Sequence, residues 1–301
     1  MAEFQTIGII GKQHDPRVGP TLRAVCGQLR ARGAEVLVDR TAAAGLKSRD
    51  AKLVTMDRLV HDSDLAIVLG GDGTLLSAGR LLAEAGVPVL GINLGRLGFI
   101  VDIAPEEMKG ALDRVLRGRY TRERRMLLSA QVVRKKGRNP PPFLAINDVV
   151  LRNRASVRMV EFETWLGQDG KWEFISQHRA DGLIVSTPTG STAYALSGGG
   201  PVLHPGLEAL ALVPICPHAL SDRPLVVGSD RRVRIVLIEA QRVEAMCTAD
   251  GQHNVKLRPG DSVEIVRSPH ALDLIHPVSY RYFNILRKKL NWGRDRAVQR
   301  A

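Results

Sequence analysis

Residues 65–69, Leu-Ala-Ile-Val-Leu, run straight into Gly70-Gly71-Asp72-Gly73-Thr74. Five consecutive apolar residues bounded by glycine predict a strand buried on both faces, the kind found in a parallel sheet covered by helices. The glycines let the backbone turn tightly and approach a ligand without Cβ obstruction. An apolar-periodic stretch beginning at Thr74-Leu75-Leu76 and reaching about Ala85 predicts a helix directly afterwards. In open α/β sheets, the crevice beyond the carboxyl ends of the strands is where ligands bind. Bare amides there attract phosphate, and a carboxylate among them can orient a hydroxyl, which suits nucleotide chemistry. Asp72 also suits a plainer role, capping the helix or shaping the turn.

The same alternation surrounds this junction. Residues 5–11, 34–38 and 87–92 predict further buried strands, and residues 18–32 and 105–116 predict helices. Residues 1–122 are therefore expected to form an α/β domain with a parallel sheet. From Met126 the pattern changes to strand-like segments and turns, at 127–134, 143–152, 159–166, 172–177, 183–186, 232–238, 243–248 and 263–266. With turns at Ala249-Asp250-Gly251 and Arg258-Pro259-Gly260, residues 123–276 predict a mainly antiparallel, β-sandwich-like second domain. The charged stretch 120–125 reads as the linker. An apolar stripe of Tyr282, Phe283, Ile285, Leu286, Leu290 and Trp292 predicts that residues 277–295 pack back on the first domain.

Composition narrows the function classes. The chain has 301 residues, 44% of them hydrophobic, room for roughly two domains. No apolar run approaches the roughly 18 residues needed to span a bilayer. Met1-Ala2-Glu3-Phe4-Gln5 leads almost directly into a strand, which indicates neither a signal nor a transit peptide. Three scattered cysteines, Cys26, Cys216 and Cys247, have no CxxC pairing. They predict reduced, mostly buried thiols, no metal cluster and a cytoplasmic setting. The eight histidines show no metal-ligand spacing. A net charge of +12 attracts polyanions without choosing among nucleotides, polyphosphate and nucleic acid. The excess includes Arg114, Arg117, Arg119, Arg122, Arg124 and Arg125, then Arg281, Arg287, Lys288 and Lys289. Such clusters are usually solvated faces. An aromatic content of 4% speaks against a stacking single-strand binder.

Three other stretches carry chemistry. Asn93-Leu94-Gly95-Arg96-Leu97-Gly98 follows a predicted strand and is either an ordinary turn or a second loop at the same crevice. Asn147-Asp148 interrupts an otherwise apolar strand, so the pair either satisfies local backbone at a bulge or faces a ligand. Asp181-Gly182 leads into Thr187-Pro188-Thr189-Gly190-Ser191-Thr192-Ala193-Tyr194. With Ser186, that run is a donor-rich turn feeding a short helix over 192–196, suited to an anion or serving only as a serine/threonine turn and helix cap.

Taken together, Gly70–Thr74, residues 93–99, Asn147-Asp148, Asp181-Gly182 and the 187–194 run resemble the motifs of bacterial NAD kinases, in order and approximate spacing. The likeness extends to the final Tyr280-Arg281-Tyr282-Phe283 segment. The GGDG tetrapeptide is shared with lipid kinases and phosphofructokinases, whereas the longer 187–194 run is more specific.

The resemblance implies a kinase moving the terminal phosphoryl group of ATP, or of polyphosphate, to the adenosine-ribose 2′-hydroxyl of NAD. Mg²⁺ would accompany the donor and the protein would be a homodimer or homotetramer, with neither nucleic acid nor membrane as partner. Asp72 would orient and deprotonate the hydroxyl, and Asp72 and Gly73 would contact the nicotinamide-side or ribose region. Asn147 and Asp148 would hold adenine or ribose. Asp181 and the run Thr192, Ala193, Tyr194, Ala195, Leu196 and Ser197 would complete the pocket, partly from a neighbouring subunit. Arg158, Arg179 and Gln252 would add contacts, with arginine at 179 resembling the form that prefers NAD to NADH. Gly70, Gly71, Gly73, Thr74, Asn93 and Gly95 would form the phosphate loop. No residue is assigned to a metal.

Two readings compete. A lipid kinase would share the glycine loop but accept diacylglycerol. A non-catalytic NAD- or nucleic-acid-binding regulator would follow from the positive charge and would show salt-sensitive DNA binding. Asp72 speaks against the second, because a carboxylate beside phosphates repels them.

Overall fold

The computed structural model describes residues 3–42, 50–95, 98–153, 159–238 and 245–292. The chain divides into two compact units, residues 1–124 with 272–301, and residues 125–271.

The first unit opens with β1 (Thr6–Gly11), α1 (Val18–Arg30), β2 (Glu35–Asp39), β3 (Lys52–Val54), α2 (Met56–Asp62), β4 (Leu65–Gly70), α3 (Asp72–Ala85), β5 (Val89–Asn93) and α4 (Met108–Leu116). Every residue of β4 and β5 is buried, as expected for strands covered on both faces. The five strands are parallel, in the order β5-β4-β1-β2-β3. Ile7 and Ile9 share a core with Val18, Leu22 and Leu29 of α1 and with Leu112 and Val115 of α4. On the other face α2 comes close: a Cβ at Gly8 would sit 2.6 Å from a methyl of Leu59. Glycine at position 8 is what permits that approach. The strand order reverses between β1 and β4, so the loops after these two strands flank the sheet's switch point, where α/β folds bind ligands. Asp72 stands there.

The second unit contains β6 (Tyr120–Val133) from Arg125 onward, β7 (Phe143–Ala145), β8 (Asp148–Asn153), β9 (Val160–Gln168), β10 (Lys171–Ala180), β11 (Gly182–Ser186), α5 (Tyr194–Ser197), β12 (Ala209–Ile215), β13 (Leu225–Gly228), β14 (Arg232–Leu237), β15 (Ala245–Ala249), β16 (His253–Leu257) and the first part of β17 (Ser262–Pro277). One antiparallel sheet runs β13-β12-β11-β8-β15-β16, and β10-β9-β14-β17 are antiparallel neighbours in a second. Their inner faces meet in one core that includes Leu151, Val185, Leu212 and Cys247 from the first, and Phe162, Ile235 and Ile265 from the second. This is the expected sandwich. The outer face of the first sheet is also covered, with Val150, Ile184, Ala211 and Val213 packing on Ala195 and Leu203.

Near the C-terminus, α6 (Tyr282–Leu290) belongs to the first unit and buries Ile285 and Leu286.

Two expectations change. Residues 120–125 are no linker but the start of the 14-residue strand β6, where Thr121, Arg122 and Arg124 are exposed and Arg125 is buried. The expected strand 143–152 is broken, with Ile146 and Asn147 between β7 and β8. The three cysteines are free and mostly buried, as expected: Cys26 and Cys247 are buried and Cys216 is exposed. Burial pushes those two thiols up to about 11 and about 12, so they are inert. Among the described residues no helix is long and apolar enough to cross a membrane.

Candidate active site

In the first unit the chemistry gathers behind β4. Gly71 is extended, and Asp72 is the first residue of α3. The Asp72 side chain does not cap its own helix. It reaches across to the segment after Gly98, where Oδ2 accepts the Phe99 amide at 2.8 Å and Oδ1 accepts those of Ile100 and Val101 at 3.2 and 3.0 Å. A Cβ at Gly98 would lie 2.6 Å from the Asp72 Cγ, so only glycine leaves room for this clamp. Asn93, 2% exposed, braces the same segment. Its side chain donates to the Val101 carbonyl at 3.2 Å and accepts the Gly95 amide at 2.7 Å. Gly70 packs on Thr74, and a Cβ there would meet the Thr74 Cβ at 2.7 Å. The predicted loop residues Gly70, Gly71, Asp72, Gly73, Thr74, Asn93 and Gly95 are thus brought together.

A carboxylate has about four lone-pair positions. Three are occupied at Asp72, and the open one is on Oδ2. Arg17 lies over Gly95, its Nη1 2.8 Å from where a Cβ would stand. It is tied to Asp15 at 2.6 Å, and Lys12 lies 3.7 Å from the same carboxylate. These two cations after β1 carried no motif in the sequence.

In the second unit Asn147 and Asp148 stand at the break between β7 and β8. Asp250 occupies the tip of the β15–β16 hairpin at a φ of +51°, a left-handed conformation that aspartate tolerates. Its carboxylate accepts the amides of Ile146, Asn147 and Asp148 at 3.1, 2.8 and 3.3 Å, and its own amide donates to the Asp148 carbonyl at 3.0 Å. A cavity of about 350 Å³ lies beside it, lined by Asn147, Asp148, Val150, Arg152, Ala193, Tyr194, Thr248, Asp250, Gly251 and Asn254. Burial and then the Asp250 charge push the Asp148 carboxyl up to about 7. The Asn147 Oδ1 is buried and has no hydrogen-bond partner among the described residues. Buried acceptors are seldom left so without a ligand or water.

The hydroxyls of Ser186, Thr187, Ser191 and Thr192 donate to backbone carbonyls of the protein itself. Thr187 Oγ1 donates to the Ile146 carbonyl at 2.6 Å and accepts the Gly190 amide. Ser191 Oγ donates to the Pro188 carbonyl at 2.6 Å and accepts the Leu203 amide at 2.9 Å. Ser186 donates to the Thr187 carbonyl and Thr192 to that of Thr189. Instead of one helix over 192–196, Gly190–Thr192 is a 3₁₀ turn followed by the four residues of α5.

The remaining predicted residues are dispersed. Ala195 is wholly buried in the core, so its side chain faces away from solvent. Tyr194 is 46% exposed at the cavity edge. Asp181, Ser197 and Gln252 are exposed, Thr192 and Leu196 half-buried, and none of the five lines the cavity. Arg179 is exposed and lies 3.8 Å from Glu161. Arg158 and the pair Arg96-Leu97 lie outside the described residues.

The family model for the ATP-NAD kinase N-terminal domain matches residues 7–120, and that for the C-terminal domain matches residues 146–277. The NAD kinase of Nitrosococcus oceani is 46% identical over 97% of this chain and 98% of its own length. That of Acinetobacter baylyi is 45% identical over 97% and 93%. Among solved structures, yeast NADH kinase complexed with NADH superposes with a TM-score of 0.87 at 26% identity, covering 96% of this chain and 88% of that one. An Archaeoglobus fulgidus NAD kinase in complex with ATP gives 0.74 at 26% identity, covering 94% and 97%. The chain therefore belongs to the ATP-NAD kinase family and is a phosphotransferase.

Proposed function

We propose that this protein transfers the γ-phosphoryl group of ATP to the 2′-hydroxyl of the adenosine ribose of NAD, giving NADP, with Asp72 as the catalytic residue. The observation that carries this reading is the Asp72 carboxylate, fixed by three backbone amides with one lone pair of Oδ2 left for a hydroxyl donor. In a loose phosphoryl-transfer transition state the hydroxyl proton leaves late, so alignment matters more than basicity. Asp72 would hold the hydroxyl in line with the donor phosphorus and take its proton as the new O–P bond forms.

Mg²⁺ enters with the donor as part of the substrate. An ion of this kind is held mainly by phosphate oxygens and water. The cavity in the second unit would take adenine or ribose through Asn147 and Asp148. Arg179, exposed on β10, would contribute to the preference for NAD over NADH. Asp181 and the 192–197 segment would act partly across a subunit boundary. A homodimer or homotetramer follows, and light scattering after size exclusion would give two or four times 32.9 kDa. The two inert buried thiols fit a reducing, cytoplasmic setting.

The test is incubation of purified protein with NAD and Mg²⁺, with ATP and polyphosphate in parallel. A dehydrogenase specific for NADP reads the product. NADP formation is expected. ATP consumption without NADP, or phosphoryl transfer to diacylglycerol, would overturn the assignment.

A further inference from the structure

Asp250 comes from a hairpin 102 residues away from Asp148 in sequence, yet it is the group that shapes the Asn147–Asp148 corner. Three consecutive amides point at its carboxylate, and its own amide returns a bond to the Asp148 carbonyl. That cradle exists only because residues 146 and 147 leave the strand pairing between β7 and β8. Both carboxylates line one cavity with the unsatisfied Asn147 Oδ1. Two acidic groups this close, one of them 4% exposed, are costly unless the arrangement is used.

We propose that Asp250 is a positioning residue for substrate: it clamps the backbone of residues 146–148 and sets its own negative charge against the carboxyl of Asp148. The proposal rests on the reading that Asn147 and Asp148 hold the nucleoside part of NAD. A carboxylate that receives ribose or adenine donors must be ionised, and Asp250 opposes that ionisation. NAD binding should therefore weaken as pH falls through the neutral range. The other groups facing Asp148 across the cavity are Arg152, Tyr194, Thr248 and Asn254. Of these only Arg152 carries a cationic side chain, and it stands on β8 with Asp148 itself.

Isothermal titration of NAD into the full chain, without ATP, tests this from pH 5.5 to 8.5. For the native protein the Kd should rise on the acid side of about pH 7. Asp250→Asn should shift that rise toward acid by about one pH unit. It should also weaken binding at pH 8.5 by about tenfold, because one clamp oxygen becomes an amide. Asp148→Asn should remove the pH dependence altogether. A purely structural role would lower affinity without moving the profile, and that result overturns the proposal. If Asp250→Asn does not fold, the native protein and Asp148→Asn decide: a flat native profile, or one unaltered by Asp148→Asn, overturns it equally. Failure of the native protein to bind NAD at any pH would instead remove the reading beneath it.

Discussion

At the scale of single residues, the clamp on Asp72 depends on a missing side chain. A methyl at Gly98 would stand 2.6 Å from the carboxylate carbon, so Gly98→Ala must push Asp72 off the three amides. Misplacing a reacting group by about 1 Å can cost about a hundredfold in rate. Gly98→Ala should therefore lose roughly that factor in kcat, with a circular-dichroism spectrum like that of the native protein. Near-native kcat would detach Asp72's geometry from turnover. Asp72 itself was legible in the sequence, because an apolar strand followed by glycines and one acid is a local signal. Its partners were not, since backbone amides at 99–101 carry no residue signature. Asp250 was legible only as a turn. Its acceptance of amides across 102 residues is a tertiary fact that no local pattern encodes.

At the scale of elements, the 186–203 segment behaves as a knot of internal hydrogen bonds. Ser191→Ala removes a donor to Pro188 and leaves the Leu203 amide unpartnered. A buried orphan amide costs about 1–3 kcal/mol, so chemical denaturation should show a loss of about that size with little change in NAD affinity. A large affinity loss in a stable variant would favour the anion-binding reading of this turn. Gly190→Ala should be worse. Its Cβ would meet the backbone of Asn147, with the Cα only 2.7 Å away, and backbone cannot swing aside as a side chain can. The buried strands β1, β4 and β5 could be read from apolar runs of five or six residues. β3 and α2 could not, being three and seven residues long. β12 escaped because Pro214 falls within it and Pro201, Pro205 and Pro217 surround it. β16, exposed at alternate positions and lying at a sheet edge, lacks an apolar run.

At the scale of the whole molecule, each unit carries a buried group that holds its proton more tightly when folded. In the second it is Asp148, raised by burial and by Asp250. In the first it is His276, 1% exposed. Burial lowers its affinity for a proton, but Asp102 and Glu123, each 3.4 Å from a ring nitrogen, raise it above the ordinary value. A group with a raised folded pKa contributes stability at low pH and loses it as pH rises through that pKa. Both contributions therefore decline with rising pH, that of Asp148 between about 3.8 and about 7 and that of His276 from about 6.5 upward. The melting temperature should fall across these ranges, by about 2–4 °C for each kcal/mol lost. Asp148→Asn and His276→Gln should each flatten the slope, and an unchanged slope in both would refute the assignment.

The most direct measurement of the central claim is NADP formation by Asp72→Asn, with NAD binding followed by calorimetry on the same preparation. Asparagine keeps one oxygen for the amides but cannot take the ribose proton. Turnover should fall by at least about a hundredfold, while the NAD Kd stays within about threefold of native. Turnover close to native in that variant would contradict the account.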